Sequence, residues 1–415
     1  MNLGFGIRLL AAVTCLPLLG CAALTREDAV PAATQERATV LGLSDARSWA
    51  GRAPSGFLAD AQAAYQRERA LWREAGHQGP LPPAEFLAIS GGGEDGAFGA
   101  GLLVGWTEAG TRPVFKGVTG ISTGALTAPF AFLGPAYDDK LRAVYTETKA
   151  TPILRQRSYI AAVLQDAAAD TAPLRATIAR YFDQAMLDAI AAEHGKGRIL
   201  LLGTTNLDAR RPIIWNIGKI AASGRPGALE LVHKVLTASA AIPGAFPPVP
   251  IDAEVDGKAY QEMHVDGGAG AQVFLYPPSI DIRAQSRQAG STRERRVCII
   301  RNARLDPAWA QVERRAPSIA GRAVSSLIQT QGSGDPYRIC IATQRAGFDD
   351  KLAYIPETFT TPLKERSTPP TCASCSGSAT SLAGRAILGR RCRQAGPRPS
   401  ASRRRRFPGR CGAKR

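Results

Sequence analysis

Gly120-Ile121-Ser122-Thr123-Gly124 is the most informative segment of this 415-residue sequence. The segment Val114–Val118 before it is predicted to be a strand, and the apolar run Ala125–Leu133 after it favours a helix. A GxSxG pattern alone is common by chance. Between a strand and a helix, however, it is typical of a nucleophile elbow, a sharp turn that exposes the serine hydroxyl. The sequence therefore predicts Ser122 as a nucleophile.

A second glycine-rich turn, Gly91–Gly96, lies upstream between a predicted strand, Leu87–Ser90, and a predicted helix of small residues, Ala97–Trp106. Free N–H groups at the start of a helix stabilise negative charge, so this turn is a candidate oxyanion site. The same glycines match a dinucleotide-binding GxGxxG, which requires an acidic residue at the end of the next strand. That strand ends in the serine turn instead, which disfavours a nucleotide site.

A serine nucleophile needs a base, and Asp266 is the strongest candidate. The segment Met263–Gly268 ends a predicted strand that begins near Ala259, and alternation along the strand puts His264 and Asp266 on one face. An ordinary Asp-Gly turn explains the pattern equally well. The remaining histidines lie in contexts that favour structural or solvated roles: His77, His194 and His233.

These motifs together resemble the patatin-like phospholipases, which combine a glycine-rich oxyanion turn, a GxSxG and a distal DG[GA]. Here the three motifs are Gly91–Gly96, Gly120–Gly124 and Asp266–Gly268, and Ala238–Pro248 resembles a fourth, Ala-Ser-x-Ala-x-Pro-x-x-Phe-x-Pro. The motifs occur in the family's order over residues 86–268. The resemblance continues more weakly to about residue 365 and does not cover residues 1–80 or the C-terminal tail.

The resemblance implies a Ser–Asp dyad without histidine, in which Asp266 takes the proton of Ser122 and an acyl-enzyme forms on the serine. It implies no metal and no cofactor. It also implies oxyanion donors at Gly91, Gly92, Gly93 and Thr123, and motif glycines at Gly96, Gly120, Gly124, Gly267 and Gly268.

One position departs from the family pattern. Many members carry Arg or Lys where this sequence has Asp95. A basic residue there would add positive potential beside the oxyanion, whereas Asp95 adds an acid. The departure bears on the rate and the substrate but leaves the dyad intact.

Strands alternate with helices along the chain, which predicts an α/β fold with a mostly parallel sheet covered on both faces. The resemblance implies a patatin-like three-layer domain over residues 81–365. Strands are expected near 86–90, 114–119, 198–204, 211–216, 259–265 and 296–301, and helices at 138–148, 174–193 and 228–239.

The N-terminus has the pattern of a secretory signal over residues 1–21. Leu18-Leu19-Gly20-Cys21 resembles a bacterial lipobox, which predicts lipidation of Cys21. An ordinary signal peptide that happens to contain a cysteine is the alternative. Ala22 after the cysteine favours the outer membrane, facing the periplasm, by resemblance to Gram-negative lipoproteins. Residues 22–80 suggest a tether and a helical region, with a helix near Phe57–Arg73.

The net charge of +17 suggests a nucleic-acid partner until its location is considered. Residues 366–415 hold 13 of the 52 Lys and Arg and no acid, so the first 365 residues carry 39 basic against 35 acidic side chains. The body therefore gives no reason to expect a nucleic-acid partner. An abrupt change to Ser, Pro, Gly, Cys and Arg predicts that the tail is a frameshift product; a basic arm for nucleic acid or anionic lipid is the alternative.

The cysteines do not indicate a metal site. Cys372 and Cys375 form a CxxC, but their spacing to the later cysteines fits no zinc pattern. Cys298 lies in an apolar run and is predicted to be a core thiol, with pairing to Cys340 left open.

The motifs lead to one expectation about activity. We expect a membrane-anchored acyl hydrolase that cleaves fatty acyl esters of phospholipids or lysophospholipids. Two alternatives stay open: a catalytically inactive lipoprotein on the same scaffold, and a serine thioesterase or peptidase. No stretch of 18 apolar residues occurs, which excludes a polytopic membrane protein. The sequence does not indicate an oligomeric state.

Overall fold

The structure is a computed structural model, and it describes residues 26–51, 55–146, 155–156, 167, 169–277 and 279–357. The predicted signal segment with Cys21, and the basic tail, lie outside the described residues. Within them, no helix combines the length and the apolar character needed to cross a bilayer.

A central sheet organises the described chain. Five adjacent strands that reach one edge of the sheet are all parallel, and antiparallel strands extend it on the other side. This confirms the predicted α/β class with a mostly parallel central sheet. The sheet strands are β1 (Arg47–Trp49), β2 (Ala84–Ile89), β3 (Gly117–Ile121), β6 (Ile199–Asn206), β7 (Arg211–Asn216), β8 (Val249–Val255), β9 (Lys258–Asp266), β10 (Arg295–Arg301) and β11 (Asp349–Tyr354), while β4 (Arg155–Gln156) and β5 (Ala169–Asp170) form a separate pair.

The strand order is β1-β7-β6-β3-β2-β10-β11, with β9 paired to the end of β6 and β8 paired to β9. Within the described residues, the helices of four or more residues are α1 (Ser55–Glu74), α2 (Gly96–Glu108), α3 (Thr123–Leu133), α4 (Asp138–Thr146), α5 (Ala172–Tyr181), α6 (Gln184–Gly195), α7 (Ile217–Ala222), α8 (Ala228–Ser239), α9 (Ile282–Gln288) and α10 (Ala316–Ala346).

Two hydrophobic cores cover the two faces of the sheet. Along β10, Cys298 and Ile300 belong to the core that helices α2 to α8 complete, whereas Val297 and Ile299 belong to the core that contains Ile339 of α10. This follows from the alternation of side chains along a strand, and it produces helix, sheet and helix layers. Cys298 is a buried free thiol, so it does not pair with Cys340, and burial raises its pKa to about 12.

Two predicted elements differ in detail from the structure. The strand before the serine turn is Gly117–Ile121 rather than Val114–Val118, and Val114 is 74% exposed. The helix expected over 174–193 is two helices, because Asp183 begins the second one. Its carboxylate accepts a hydrogen bond from the Met186 N–H at 2.8 Å, which caps α6 and ends the regular path of α5.

The topology places the candidate site at the carboxyl ends of the parallel strands. Gly91 follows β2, Ser122 follows β3 and Asn302 follows β10. Asp266 comes from β9, whose last residues pair with β6 in the register Thr204 to Asp266. That pairing carries the aspartate to the side of the serine turn.

Candidate active site

The serine turn is a strained connection between β3 and α3. Ser122 has φ +56° and ψ −128°, in the left-handed half of backbone space that residues other than glycine rarely adopt. Its N–H donates to the Ser239 hydroxyl at 3.0 Å, and that hydroxyl donates to the Gly203 carbonyl at 2.6 Å. Ser239, at the end of α8, therefore ties the turn to β6.

Close packing explains one glycine of the motif. A Cβ at Gly124 would overlap the carbonyl oxygens of Ile89 and Ser90 at the end of β2. The start of α3 lies directly against that strand, so a side chain at this position would push the serine turn away from the glycine turn.

The structure brings Ser122 and Asp266 together. The Ser122 hydroxyl donates to the Asp266 carboxylate at 2.7 Å, and both residues are buried. The other carboxylate oxygen accepts the Gly268 N–H at 2.6 Å, and the Asp266 N–H donates to the Ala241 carbonyl at 2.9 Å. Burial raises the pKa of Asp266 to about 6, while the hydrogen bonds from Ser122 and Gly268 oppose that rise.

The histidines have other partners. His264 is fully buried, with Nδ1 2.9 Å from the Thr204 hydroxyl and Nε2 3.0 Å from the Glu262 carboxylate. Its side chain is thus held away from the serine although it precedes Asp266 by two residues. The other three histidines also have partners elsewhere. His77 stacks on Trp72, His194 contacts Arg67, and His233 contacts the Phe182 carbonyl.

The predicted oxyanion donors divide into two groups. The Gly91 N–H already donates to the Gln272 carbonyl at 3.0 Å, so the prediction that Gly91 donates to an oxyanion does not fit the structure. The N–H groups of Gly92, Gly93 and Thr123 have no hydrogen-bond partner among the described residues. These three are the donors that a substrate oxygen could use.

Asn302, just after β10, holds the glycine turn in place. Its backbone N–H donates to the Ser90 hydroxyl and its side-chain amide to the Ser90 carbonyl, each at 2.9 Å. Its side-chain oxygen accepts the Gly99 N–H at 3.0 Å. A Cβ at Gly92 would overlap the Asn302 carbonyl oxygen, so glycine is required there.

A buried cation lies beside the same turn. The Arg301 guanidinium is 3.3 Å from both the Ser90 hydroxyl and the Gly91 carbonyl, and the residue is 2% exposed. The pKa of Asp95 is raised to about 6, chiefly by burial and then by the charge of Glu94, while Arg301 opposes the rise. Arg301, the last residue of β10, therefore places a positive charge beside the glycine turn.

The sequence alone did not identify Ser239, Asn302 or Arg301 as parts of the site. Ser239 lies in the segment resembling the fourth motif, which was the one available signal. Asn302 and Arg301 follow an apolar strand with no motif of their own. Within the described residues, no group of three or more His, Cys, Asp or Glu is arranged to hold a metal ion.

The arrangement has the parts that acyl transfer requires. A buried carboxylate accepts the hydrogen bond of a serine hydroxyl in a strained turn, and backbone donors without partners lie in the adjacent segments. Such a group can activate a nucleophile and stabilise a developing oxyanion.

Similarity to known proteins was found at two levels. Residues 87–277 match the family profile "Patatin-like phospholipase". Among solved structures, VipD from Legionella pneumophila is 11% identical with a TM-score of 0.33, covering 73% of this chain and 67% of that one. A search of curated protein sequences found no match.

Two further solved structures are similar. Human GIVD cytosolic phospholipase A2 is 11% identical with a TM-score of 0.33, over 75% of this chain and 55% of that one. ExoU from Pseudomonas aeruginosa, in complex with SpcU, is 14% identical with a TM-score of 0.22, over 64% and 53%. The chain therefore spans between about half and two thirds of the length of these proteins. Since the profile match contains both glycine-rich turns, Ser122 and Asp266, residues 87–277 belong to the patatin-like phospholipase family of lipid hydrolases.

Proposed function

We propose that this protein is a serine hydrolase that cleaves fatty acyl esters of phospholipids or lysophospholipids. The observation that carries the proposal is the 2.7 Å hydrogen bond from the Ser122 hydroxyl to the buried Asp266 carboxylate. A serine hydroxyl is a weak nucleophile unless an adjacent base takes its proton. The family of residues 87–277 supports a lipid ester as the substrate.

In the first half-reaction, Ser122 Oγ attacks the ester carbonyl carbon while its proton passes to Asp266. The N–H groups of Gly92, Gly93 and Thr123 stabilise the resulting oxyanion. The intermediate collapses, the bond from carbon to the alcohol oxygen breaks, and Asp266 returns the proton to that oxygen. The acyl group stays on Ser122.

In the second half-reaction, water attacks the acyl carbon while Asp266 accepts one of its protons. The bond between the acyl carbon and Ser122 Oγ then breaks, and Asp266 gives the proton to the serine. A fatty acid leaves and the dyad is restored. A base whose pKa lies near the working pH suits both steps, and that of Asp266 is raised to about 6 by burial.

A fluorophosphonate probe tests the dyad directly. We expect the full-length protein to be labelled at Ser122, as located by mass spectrometry, and labelling to be lost in Ser122→Ala and in Asp266→Asn. Asp252→Asn, which changes an exposed carboxyl paired with Lys234, is the matched control and should label normally. Circular dichroism reports whether each variant is folded.

In a separate assay, protein that has not been treated with the probe is incubated with phosphatidylcholine vesicles or with lysophosphatidylcholine, and released fatty acid is measured by mass spectrometry. Release that depends on Ser122 supports the proposal. A folded protein that does not label points to an inactive scaffold. Labelling without release from phospholipid or lysophospholipid points to a thioesterase or peptidase.

We also propose that Cys21 is lipidated and holds the protein in the outer membrane, facing the periplasm. The lipobox-like Leu18–Cys21 and the Ala22 that follows it support this location. Anchor and substrate would share one surface, which raises the effective concentration of substrate. Mass spectrometry of the N-terminus after expression in a Gram-negative host tests it: a diacylglyceryl Cys21 is expected, and an unmodified Cys21 contradicts the proposal. Cys15→Ser is the control.

A further inference from the structure

A cavity of about 630 Å³ lies between helices α1 and α9 and the face of the sheet that carries Val297 and Ile299. This volume is within the range of roughly 300–1,000 Å³ typical of small-molecule sites. Most of its wall is apolar, with side chains from both helices and from the strands. They include Phe57, Phe86, Leu201, Leu275, Ile282 and Phe348.

Three cationic side chains line the cavity, those of Lys116, Arg293 and Arg295. Among the described residues, no Asp or Glu lines it. One carboxylate, that of Glu68, contacts two of these cations. Glu68 accepts two hydrogen bonds from Arg293, each at 2.8 Å, and pairs with the Lys116 ammonium at 2.6 Å. Two of the three cations therefore share a single acid.

Arg295 contacts no carboxylate among the described residues. Its guanidinium donates weakly to the Arg293 carbonyl at 3.3 Å and to the Ser291 hydroxyl at 3.4 Å, and it lies 5.7 Å from the centre of the Phe348 ring. A partly buried cation without a counter-ion is unfavourable. Burial and then the charge of Arg293 lower the pKa of Arg295, and burial lowers the pKa of Lys116 to about 8. A bound anion would relieve this unfavourable charge.

The cationic end of the cavity is far from the dyad. Lys116 immediately precedes β3 and Arg295 begins β10, so both lie at the amino ends of parallel strands. Ser122 follows the carboxyl end of β3. A five-residue strand is about 17 Å long, which separates the cations from the serine by roughly the height of the sheet.

We propose that this cavity is a second binding site that takes a single-chain amphiphile with an anionic head, and specifically a long-chain fatty acid. The carboxylate pairs with Arg295 and the chain lies along the apolar wall formed by α1, α9 and the sheet. Fatty acids are also the product of the proposed function, but binding here uses neither Ser122 nor Asp266. The inference therefore goes beyond that function and does not depend on it.

The test is calorimetric titration of oleate, below its micelle concentration, into the full-length protein carrying Ser122→Ala. Oleate is expected to bind, whereas oleyl alcohol, which lacks the charge, is expected to bind at least about ten-fold more weakly. Arg295→Leu should weaken oleate binding by a similar factor. Arg296→Leu is the matched control, because Arg296 is exposed and pairs with Glu85 and Glu294.

A second pair of variants tests whether the hydrocarbon chain lies in the apolar part of the cavity. Ala61→Trp places an indole into the cavity from α1 and should abolish oleate binding, while Ala70→Trp at an exposed position of the same helix should not. Thermal unfolding checks that each variant is folded.

The proposal would be overturned if Arg295→Leu left the affinity for oleate unchanged. It would also be overturned if Ala61→Trp bound oleate as tightly as the protein without that substitution. A protein that prefers lysophosphatidate to oleate would overturn the choice of a fatty acid, since the same cations would then serve a phosphate head. Because all measurements use Ser122→Ala, failure of the proposed hydrolase activity leaves the result unaffected.

Discussion

The backbone N–H of Ser122 donates a hydrogen bond to the hydroxyl of Ser239, which lies 117 residues further along the chain. The same hydroxyl donates to the Gly203 carbonyl, so one buried side chain connects the serine turn, α8 and β6. The strained backbone of the nucleophile is thus held by a residue outside its own motif.

Ser239→Ala should therefore destabilise the protein and loosen the serine turn. The variant leaves the buried Ser122 N–H and Gly203 carbonyl without this partner, a loss of about 1–3 kcal/mol for an unsatisfied buried group. We expect a lower midpoint of thermal unfolding and a slower rate of fluorophosphonate labelling. Ser326→Ala on the exposed part of α10 is the control, and equal labelling rates in the two variants would refute the role of Ser239.

The labelling rate should depend on pH through Asp266. Only the ionised carboxylate can accept the serine proton, and burial raises the pKa of Asp266 to about 6. The rate is expected to increase about ten-fold per pH unit below pH 6 and to level off above it. The profile of labelling rate against pH is measured by quenching the labelling reaction at successive times at each pH between 4.5 and 8.5. A midpoint near pH 4, where an ordinary aspartate titrates, would contradict the burial argument.

Asp266→Asn should abolish labelling and yet stabilise the folded protein at neutral pH. The pKa of Asp266 is higher in the folded state than the usual 3.8, so the folded state binds the proton more tightly. The protonated carboxyl therefore stabilises the folded state; this contribution is present below about pH 4 and is lost as the pH rises through 6. Replacing the carboxylate should recover up to about 3 kcal/mol at pH 7, and none at pH 4. Chemical denaturation at both pH values measures the difference.

The two glycines of the oxyanion turn should respond differently to alanine. At Gly92 a Cβ would overlap the Asn302 carbonyl oxygen, whereas at Gly93 the space is open and the only penalty is a φ of +57°. Gly93→Ala should lose about 1–2 kcal/mol of stability, and Gly92→Ala more, together with most of the labelling. Unfolding midpoints and labelling rates of both variants check this order.

Asp95→Asn should increase the labelling rate at pH 8 but leave it nearly unchanged at pH 5. The pKa of Asp95 is raised to about 6, so its negative charge beside the oxyanion turn is present only at the higher pH. Removing one charge near a partly buried site is worth about 1 kcal/mol, or roughly five-fold in rate. An equal effect at both pH values would show that the charge is not the cause.

Local patterns identified the parts of the site that depend on neighbours in sequence. A glycine-flanked serine between an apolar strand and an apolar helix is such a pattern, and its strand–turn–helix context was confirmed. The predicted limits of the strand were wrong, because the apolar residues Val114 and Phe115 precede the hydrogen-bonded strand, which begins at Gly117.

Residues contributed across the sheet could not be predicted in this way. Arg301 and Asn302 reach the glycine turn because β10 lies beside β2, and neighbours in a sheet are not readable from spacing. For the same reason the sequence could not show that the Gly91 N–H is occupied by Gln272. The division of the helical segment 174–193 has a local cause, because Asp183 caps the second helix through Met186, three residues further on.

The pairing of β9 with the end of β6 also bears on when the protein becomes reactive during its synthesis. Ser122 and Asp266 are 144 residues apart, and only the completed sheet brings them into contact. A nascent or partly folded chain therefore carries an ordinary, unreactive serine. The chain therefore acquires its chemical reactivity with its final fold and not while it is being made.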